Sequence, residues 1–437
     1  MSVGARRIDE AARAAHAPPG PGYWLLLGGA AALAAYGGWA ASLLLRSGLH
    51  LTGLSRPVGW GSLIVNFVFW IGIAHAGTLI SAILHLFRAR FRTPVHRVAE
   101  MMTVIAVMTA GLFPILHLGR PWLAYWLVPW PGQRALSPNF RSPLVWDVFA
   151  VSTYLVVSIV FLLVGVAPDA AGLAARATGW RRRAYAALAF GWRGTETQWR
   201  HHARAYALFC AFVTPLVVSV HSVVSWDFAV SLLPGWRSTL FPPFFVAGAI
   251  LSGLAMTIAI LVPLRTALHL EDLVTERHLD RLAQLLVVAA AVVAWCTAAE
   301  LAAALTAPAE SAERATALHR TVGAGAPLFA VVVATTVLGP AALLVPRLRR
   351  SPPTLLALSL AICVGMWVER LSIVAAPLGH DRLPFLWRDY APTWIEWSIA
   401  AGALGWFLAL LLVALRILPP LAITDLKAEA AAEEARP

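Results

Sequence analysis

Ten apolar runs, each about 20 residues or longer and so able to cross a hydrocarbon core, divide the chain. They fall at 23–45, 62–87, 98–117, 143–167, 204–224, 241–265, 281–305, 326–346, 354–376 and 395–418. Runs of that length read as helices, so the expected fold is an all-α polytopic membrane protein of about ten transmembrane helices. The polar, Ala/Pro-rich stretch 1–22 carries Arg6, Arg7 and Arg13. Twin arginines invite a secretion reading, but 23–45 is too long for a signal core, and an uncleaved first span is expected.

Ten spans put both termini on one side. The loops of that side hold twenty Lys and Arg, against ten on the other. Positive charge collects on the cytoplasmic side, which places both termini there, in a bacterial inner membrane. The loop 168–203 carries Trp180, Trp192 and Trp199 among arginines. It reads as an amphipathic segment along the cytoplasmic interface, or as a solvated linker. The tail 424–437 is expected to be a short, frayed, charged extension.

Composition agrees with the pattern: 59% of the 437 residues are hydrophobic and 13% charged. The net charge of +12 lies in short loops, where topology accounts for it, so nucleic-acid binding is excluded. Cys210, Cys296 and Cys363 are isolated within apolar runs, without a CxxC or a Cys/His cluster. The chain therefore ligates no iron–sulfur cluster and attaches no c-type haem by itself. His75, His117 and His221 lie in spans, but at different expected depths, which argues against haem b.

The densest chemistry lies in the stretch from Gly59 to Trp122. His75 sits in mid-span, and the next run ends in His117-Leu-Gly-Arg120-Pro-Trp122. With the topology above, the third helix runs outward and ends at His117. The fourth begins on the same face after Ser142-Pro143, with Asp147 one turn in beside Trp146. The fifth runs outward and ends at Ser225-Trp226-Asp227. Three titratable groups thus converge on the periplasmic ends of three consecutive helices. Such a set can accept protons from a bound substrate as it reacts. The ordinary reading of Asp147 and Asp227 is interfacial solvation, that of His117 and Arg120 a helix end, and that of the tryptophans an interfacial belt. Deeper ionisable residues form a second set: His75, Glu300 and Glu369 inside spans, and Glu100, His269, Glu271 and Asp272 near cytoplasmic ends. They read as a proton pathway, or as structural hydrogen bonds between helices. Glu369 and Arg370 are adjacent, so they should point apart and not cancel each other.

The block 59–150, with a return near 219–232, resembles the NrfD-like membrane subunits of quinone-linked oxidoreductases. Within that family it is most similar to the C-type quinol-binding subunit of alternative complex III. The resemblance implies two four-helix bundles, helices 2–5 and 6–9, flanked by helices 1 and 10. Segments then follow as 1–22 (cytoplasmic), 23–61 (peripheral helix and loop), 62–224 (first bundle), 225–376 (second bundle), 377–418 (loop and helix 10) and 419–437 (cytoplasmic tail). It implies a quinol site, menaquinol or ubiquinol, at the positions matching the family's His and two Asp: His117, Asp147 and Asp227. Arg120 would orient the ligand, and Trp122, Trp146 and Trp226 would wall it. It further implies a periplasmic iron–sulfur partner, a second NrfD-like membrane subunit and c-type cytochrome subunits; the proton pathway, through His75, Glu100, His269, Asp272, Glu300 and Glu369, is read from the buried residues themselves. No metal site is expected. Two other functions fit the helix pattern: a secondary transporter built on broken helices, with Pro215, Gly323, Gly325 and Pro327 as the breaks, and a non-catalytic membrane anchor.

Overall fold

In lipid a peptide group has to be bonded within its own segment, so long apolar runs become helices. The computed structural model describes residues 8–10, 18–127, 142–380 and 384–434. In chain order the helices are α1 (Pro21–Ser47), α2 (Ser62–Leu86), α3 (His96–His117), α4 (Pro143–Ala174), α5 (Gly179–Leu188) and α6 (Glu196–Ala229). They continue as α7 (Phe241–Ala267), α8 (Glu276–Leu305), α9 (Ala312–Thr321), α10 (Ala326–Ala342), α11 (Pro352–Gly379), α12 (Trp394–Ile417) and α13 (Ile423–Glu434). Among the described residues nine of these are long and apolar enough to span a membrane, and every regular element is helical.

The tenth span differs from its expected form. The stretch 326–346 is helical over Ala326–Ala342, but α10 is preceded by α9, and the two form one pair bent by 70°. Gly323 and Gly325 occupy the break, where a Cβ at Gly323 would lie 2.8 Å from the His319 carbonyl oxygen. Other helices outrun their apolar cores. In particular α6 continues past residue 224 to Ala229, so Asp227 lies in its last turn rather than beyond it.

Helices α2 and α7 form the centre and are buried along nearly their whole length. Helix α2 packs on α3 and α7, α4 on α6 and α3, and α11 on α7, α10 and α2. Helix α7 also packs on α8 and α6, so α2 and α7 join the two halves of the helix array. Helices α1 and α12 pair at the flank, with α12 also on α3. Close approach rests on small residues: Gly37 of α1 meets Gly402 of α12, and Gly77 of α2 faces Ala99 and Thr103 of α3. A Cβ at any of the three glycines would overlap the facing backbone.

The tail is not frayed over the residues described. Helix α13 docks beneath α3 and α4, because its side chains complete polar groups those helices bury. Thr424 donates from its amide (2.8 Å) and hydroxyl (2.7 Å) to Asp169 of α4. Thr93 donates to Glu429 at 2.7 Å, and Lys427 donates to Asp9 at 2.7 Å. Burial would raise the Asp9 carboxyl, but the bonds from Lys427 and Arg176 hold it below its ordinary value of 3.8. That anchor therefore persists at neutral pH and is lost only as pH falls below the usual carboxylate range. Thr424→Val removes one hydroxyl bond from a buried carboxylate, and should cost about 1–3 kcal/mol. Thermal inactivation of the solubilised protein measures it; an unchanged transition would mean that the docking carries no stability.

Candidate functional site

The end of the molecule that holds His117 gathers the polar residues of interest. Pro143 opens α4 with Ser142 in extended conformation before it, which sets Asp147 one turn inside the helix. Asp227 stands in the last turn of α6, and α4 and α6 pack side by side. The two carboxyl groups are near enough to act on each other electrostatically. Asp147 is buried, and the Oδ1 atoms of both residues are buried without a hydrogen-bond partner. Buried acceptors left open are costly, and they are where a ligand hydroxyl would be taken up. Beside them, Trp146 and Trp226 meet edge to face, with ring centres 5.8 Å apart.

His117 belongs to an adjoining cluster. It closes α3, and its Nδ1 is buried and unpartnered. The charge that reaches it is that of Glu396. Glu396 is buried at the start of α12, where it accepts from the amides of Gly53 (2.7 Å) and Thr393 (3.0 Å) and the hydroxyl of Ser62 (2.8 Å). The Tyr390 hydroxyl donates to the same carboxylate and accepts from the Ser62 amide at 2.7 Å. Neither Glu396 nor Tyr390 was legible as a site residue. The only sequence signal is Thr393-Trp-Ile-Glu396, a capping box at the start of an apolar run. Arg120 and Trp122 lie exposed beyond Gly119, whose φ of 65° turns the chain away from α3. Among the described residues, neither is hydrogen-bonded to the carboxyl pair.

A line of buried polar groups continues inward. His221 of α6 is fully buried with both ring nitrogens unpartnered, and it packs against His75 of α2 with ring centres 4.2 Å apart. The expectation that these two histidines lie at different depths is therefore corrected. Because α6 runs on to Ala229, His221 sits two turns, about 12 Å, inside its end. His75 places Nδ1 3.1 Å from the Ile71 carbonyl oxygen and Nε2 2.8 Å from that of Val217, and a neutral ring donates to one of the two. Tyr154, beside it, donates to Ala74 at 2.9 Å and lies 3.2 Å from the Thr78 hydroxyl. Thr78, Ser81, Thr103 and Ser158 then line a cavity of about 10 Å³ that reaches Glu100. That volume matches a single water.

Glu100 ends the line in an ion cluster. Arg97 contacts Glu100 (3.2 Å) and Asp169 (3.1 Å) and donates to the Gly165 carbonyl (2.7 Å), while Tyr206 donates to Glu100 at 3.3 Å. The other residues of the second set lie elsewhere. Glu300 pairs with Arg320 at 3.4 Å, and His269 and Asp272 are exposed in the turn between α7 and α8. Glu369 and Arg370 do form a buried ion pair, at 3.2 Å, contrary to the expectation from their adjacency. Both side chains are long enough to fold sideways, and Arg370 is held over the Phe245 ring, 4.3 Å from its centre.

The profile of the family described as polysulphide reductase, NrfD matches residues 50–378. A protein of Halobacterium salinarum assigned as a membrane subunit of a dimethyl sulfoxide reductase is 29% identical over 51% of this chain and 47% of its own length. The Hdr-like menaquinol oxidoreductase integral membrane subunit of Archaeoglobus fulgidus is 27% identical, covering 52% of this chain and 48% of its own. A selenate reductase subunit of Mesobacillus selenatarsenatis is 22% identical, with coverages of 48% and 50%. The chain thus spans about half the length of the curated relatives it matches.

Proposed function

As the chain belongs to the polysulphide reductase NrfD family, we propose that it is the quinol-binding membrane subunit of a respiratory oxidoreductase of the alternative complex III type. Multi-pass membrane placement and membership of an oxidoreductase complex are properties of the family; quinol oxidation at this site is the reading put forward here. The observation that carries it is the Asp147–Asp227 pair on neighbouring helices, with two buried, open acceptor atoms and tryptophan rings beside it. The naming of one relative as a menaquinol oxidoreductase subunit supports a quinol as the substrate.

In this reading the quinol head group enters from the membrane beside Trp146 and Trp226. One hydroxyl hydrogen-bonds to an open carboxyl oxygen of the pair. As two electrons pass to an iron–sulfur partner docked on the same face, the carboxylate takes the first proton. His117, with a free Nδ1, offers a second acceptor near the same end. The row of buried polar groups from His221 through His75, Tyr154 and the one-water cavity to Glu100 leads toward the opposite side, and supports coupling of oxidation to translocation. The second NrfD-like subunit and the c-type cytochromes belong to this proposal as partners.

Orientation tests the periplasmic placement. A cysteine at Arg237 should react with an impermeant thiol reagent applied to spheroplasts, and one at Arg182 should not. The opposite pattern would move the carboxyl pair to the cytoplasmic face. Arg134, another useful position in the same outer loops, lies outside the described residues.

A further inference from the structure

The structure assigns a second site: we propose that His319, His380 and Asp389 bind a divalent metal ion of the zinc type, independently of the quinol reading. His319 is in the last turn of α9, at the break of the bent pair. His380 follows the end of α11, and Asp389 lies in the segment leading to α12. One nitrogen from each imidazole and a carboxylate oxygen lie within 4.8 Å of one another.

The spacing suits an ion better than hydrogen bonds. Asp389 Oδ1 lies 3.5 Å from His319 Nε2 and 3.3 Å from His380 Nε2. A charge-assisted N–H to carboxylate bond closes to about 2.7–2.9 Å. A tetrahedral ion with bonds of about 2.0–2.1 Å keeps its ligand atoms about 3.3–3.4 Å apart. The rings of His319 and His380 are 3.7 Å apart at 32°, so both present Nε2 to the same carboxylate oxygen.

His380 is also prepared as a ligand. Its Nδ1 lies 2.9 Å from the Ala376 carbonyl oxygen, and donation there leaves Nε2 with a free lone pair. Metal-bound histidines are oriented in this way, by giving their second N–H to a carbonyl. The backbone beneath is fixed as well. Arg388 N–H donates to the Gly379 carbonyl at 2.9 Å, which pins the residues immediately before Asp389 and His380. A side chain at 379 would collide with the Arg388 carbonyl, so glycine is required there.

Two imidazoles and one carboxylate form a borderline donor set, suited to zinc and its neighbours rather than to magnesium or calcium. Asp389 is 68% exposed, so the ion enters from solvent and keeps a water in its fourth position. Bound there, it would clamp the bent pair to the segment that carries Tyr390 and leads into α12.

The test uses the complex purified with its partner subunits, treated with chelator and re-equilibrated with zinc sulfate. Wild type should retain about one more zinc per chain than the His319→Gln/His380→Gln double variant, as expected for one four-coordinate site. Asp389→Asn should weaken zinc binding by about tenfold or more. Cobalt(II) should give the intense visible bands of a four-coordinate ion in wild type and lose them in the double variant. Equal zinc content in wild type and double variant, with both eluting as intact complexes, would overturn the proposal. So would a cobalt spectrum in wild type that stays that of the aqueous ion. Quinol oxidation measured alongside separates the two sites: its failure in the wild type would count against the quinol reading and leave the zinc count standing.

Discussion

Asp227→Asn and Asp147→Asn should each lower quinol oxidation by about a hundredfold while leaving the assembled complex at normal yield. Asparagine keeps the size of aspartate and most of its hydrogen-bonding capacity, so the contact between α4 and α6 survives. What disappears is a carboxylate able to take a proton. The remaining carboxyl then accepts a bond from the new amide, which makes it a weaker base. Residues that act as a unit are not additive, so the double variant should be little worse than either single one. His117→Phe, with a base lost but a ring kept, should lose less, because Glu396 and water remain near by. A purely structural role for the pair predicts the reverse pattern: lower yield, with ordinary turnover per assembled complex. Turnover normalised to complex on a native gel separates the two.

The second large effect is on assembly. Arg97→Met should reduce the folded protein in membranes severely, through a loss of about 3–5 kcal/mol. The guanidinium is buried and serves Glu100, Asp169 and the Gly165 carbonyl at once. Its removal leaves two buried carboxyl groups without the cation they share. Arg97→Lys should rescue little, since one ammonium cannot reproduce the planar fork that reaches all three acceptors. Adding Glu100→Gln and Asp169→Asn to Arg97→Met should restore much of the yield, because the uncompensated charge is then gone. Membrane content by immunoblot and thermal half-life in detergent measure it. Full yield of the single variant would show that water already solvates this cluster.

Much of the fold was legible because a bilayer leaves few choices. Runs of about 20 apolar residues have to be helices, and their number and order follow directly. The approach of Asp147 to Asp227 was legible for a similar reason: each lies about one turn from a helix end, and the alternation of spans puts those ends on one face. Relations that depend on helix rotation or on loop paths were hidden. Glu396 reaches Gly53 and Ser62 only because α12 packs across α3 and meets the chain before α2, and no spacing in the sequence carries that. The contact of His75 with His221 depended on how far α6 continues beyond its apolar stretch. Glu369 and Arg370 were misjudged because backbone direction says little about the reach of two long side chains. The tail looked frayed from its composition, since the buried Asp169 and Thr93 that receive it lie more than 250 residues away in sequence. His319, His380 and Asp389 form no spaced motif, and a bend of 70° at glycines is what brings them together.

The most direct test of the quinol site is photolabelling with an azido-quinone in the assembled complex, followed by mass spectrometry of the labelled peptides. Label should fall on the start of α4 around Trp146 and Asp147 and on the last turns of α6 around Trp226 and Asp227, and excess quinol should compete it away. Competable label found only elsewhere, such as between α8 and α11, would contradict a quinol site at the carboxyl pair.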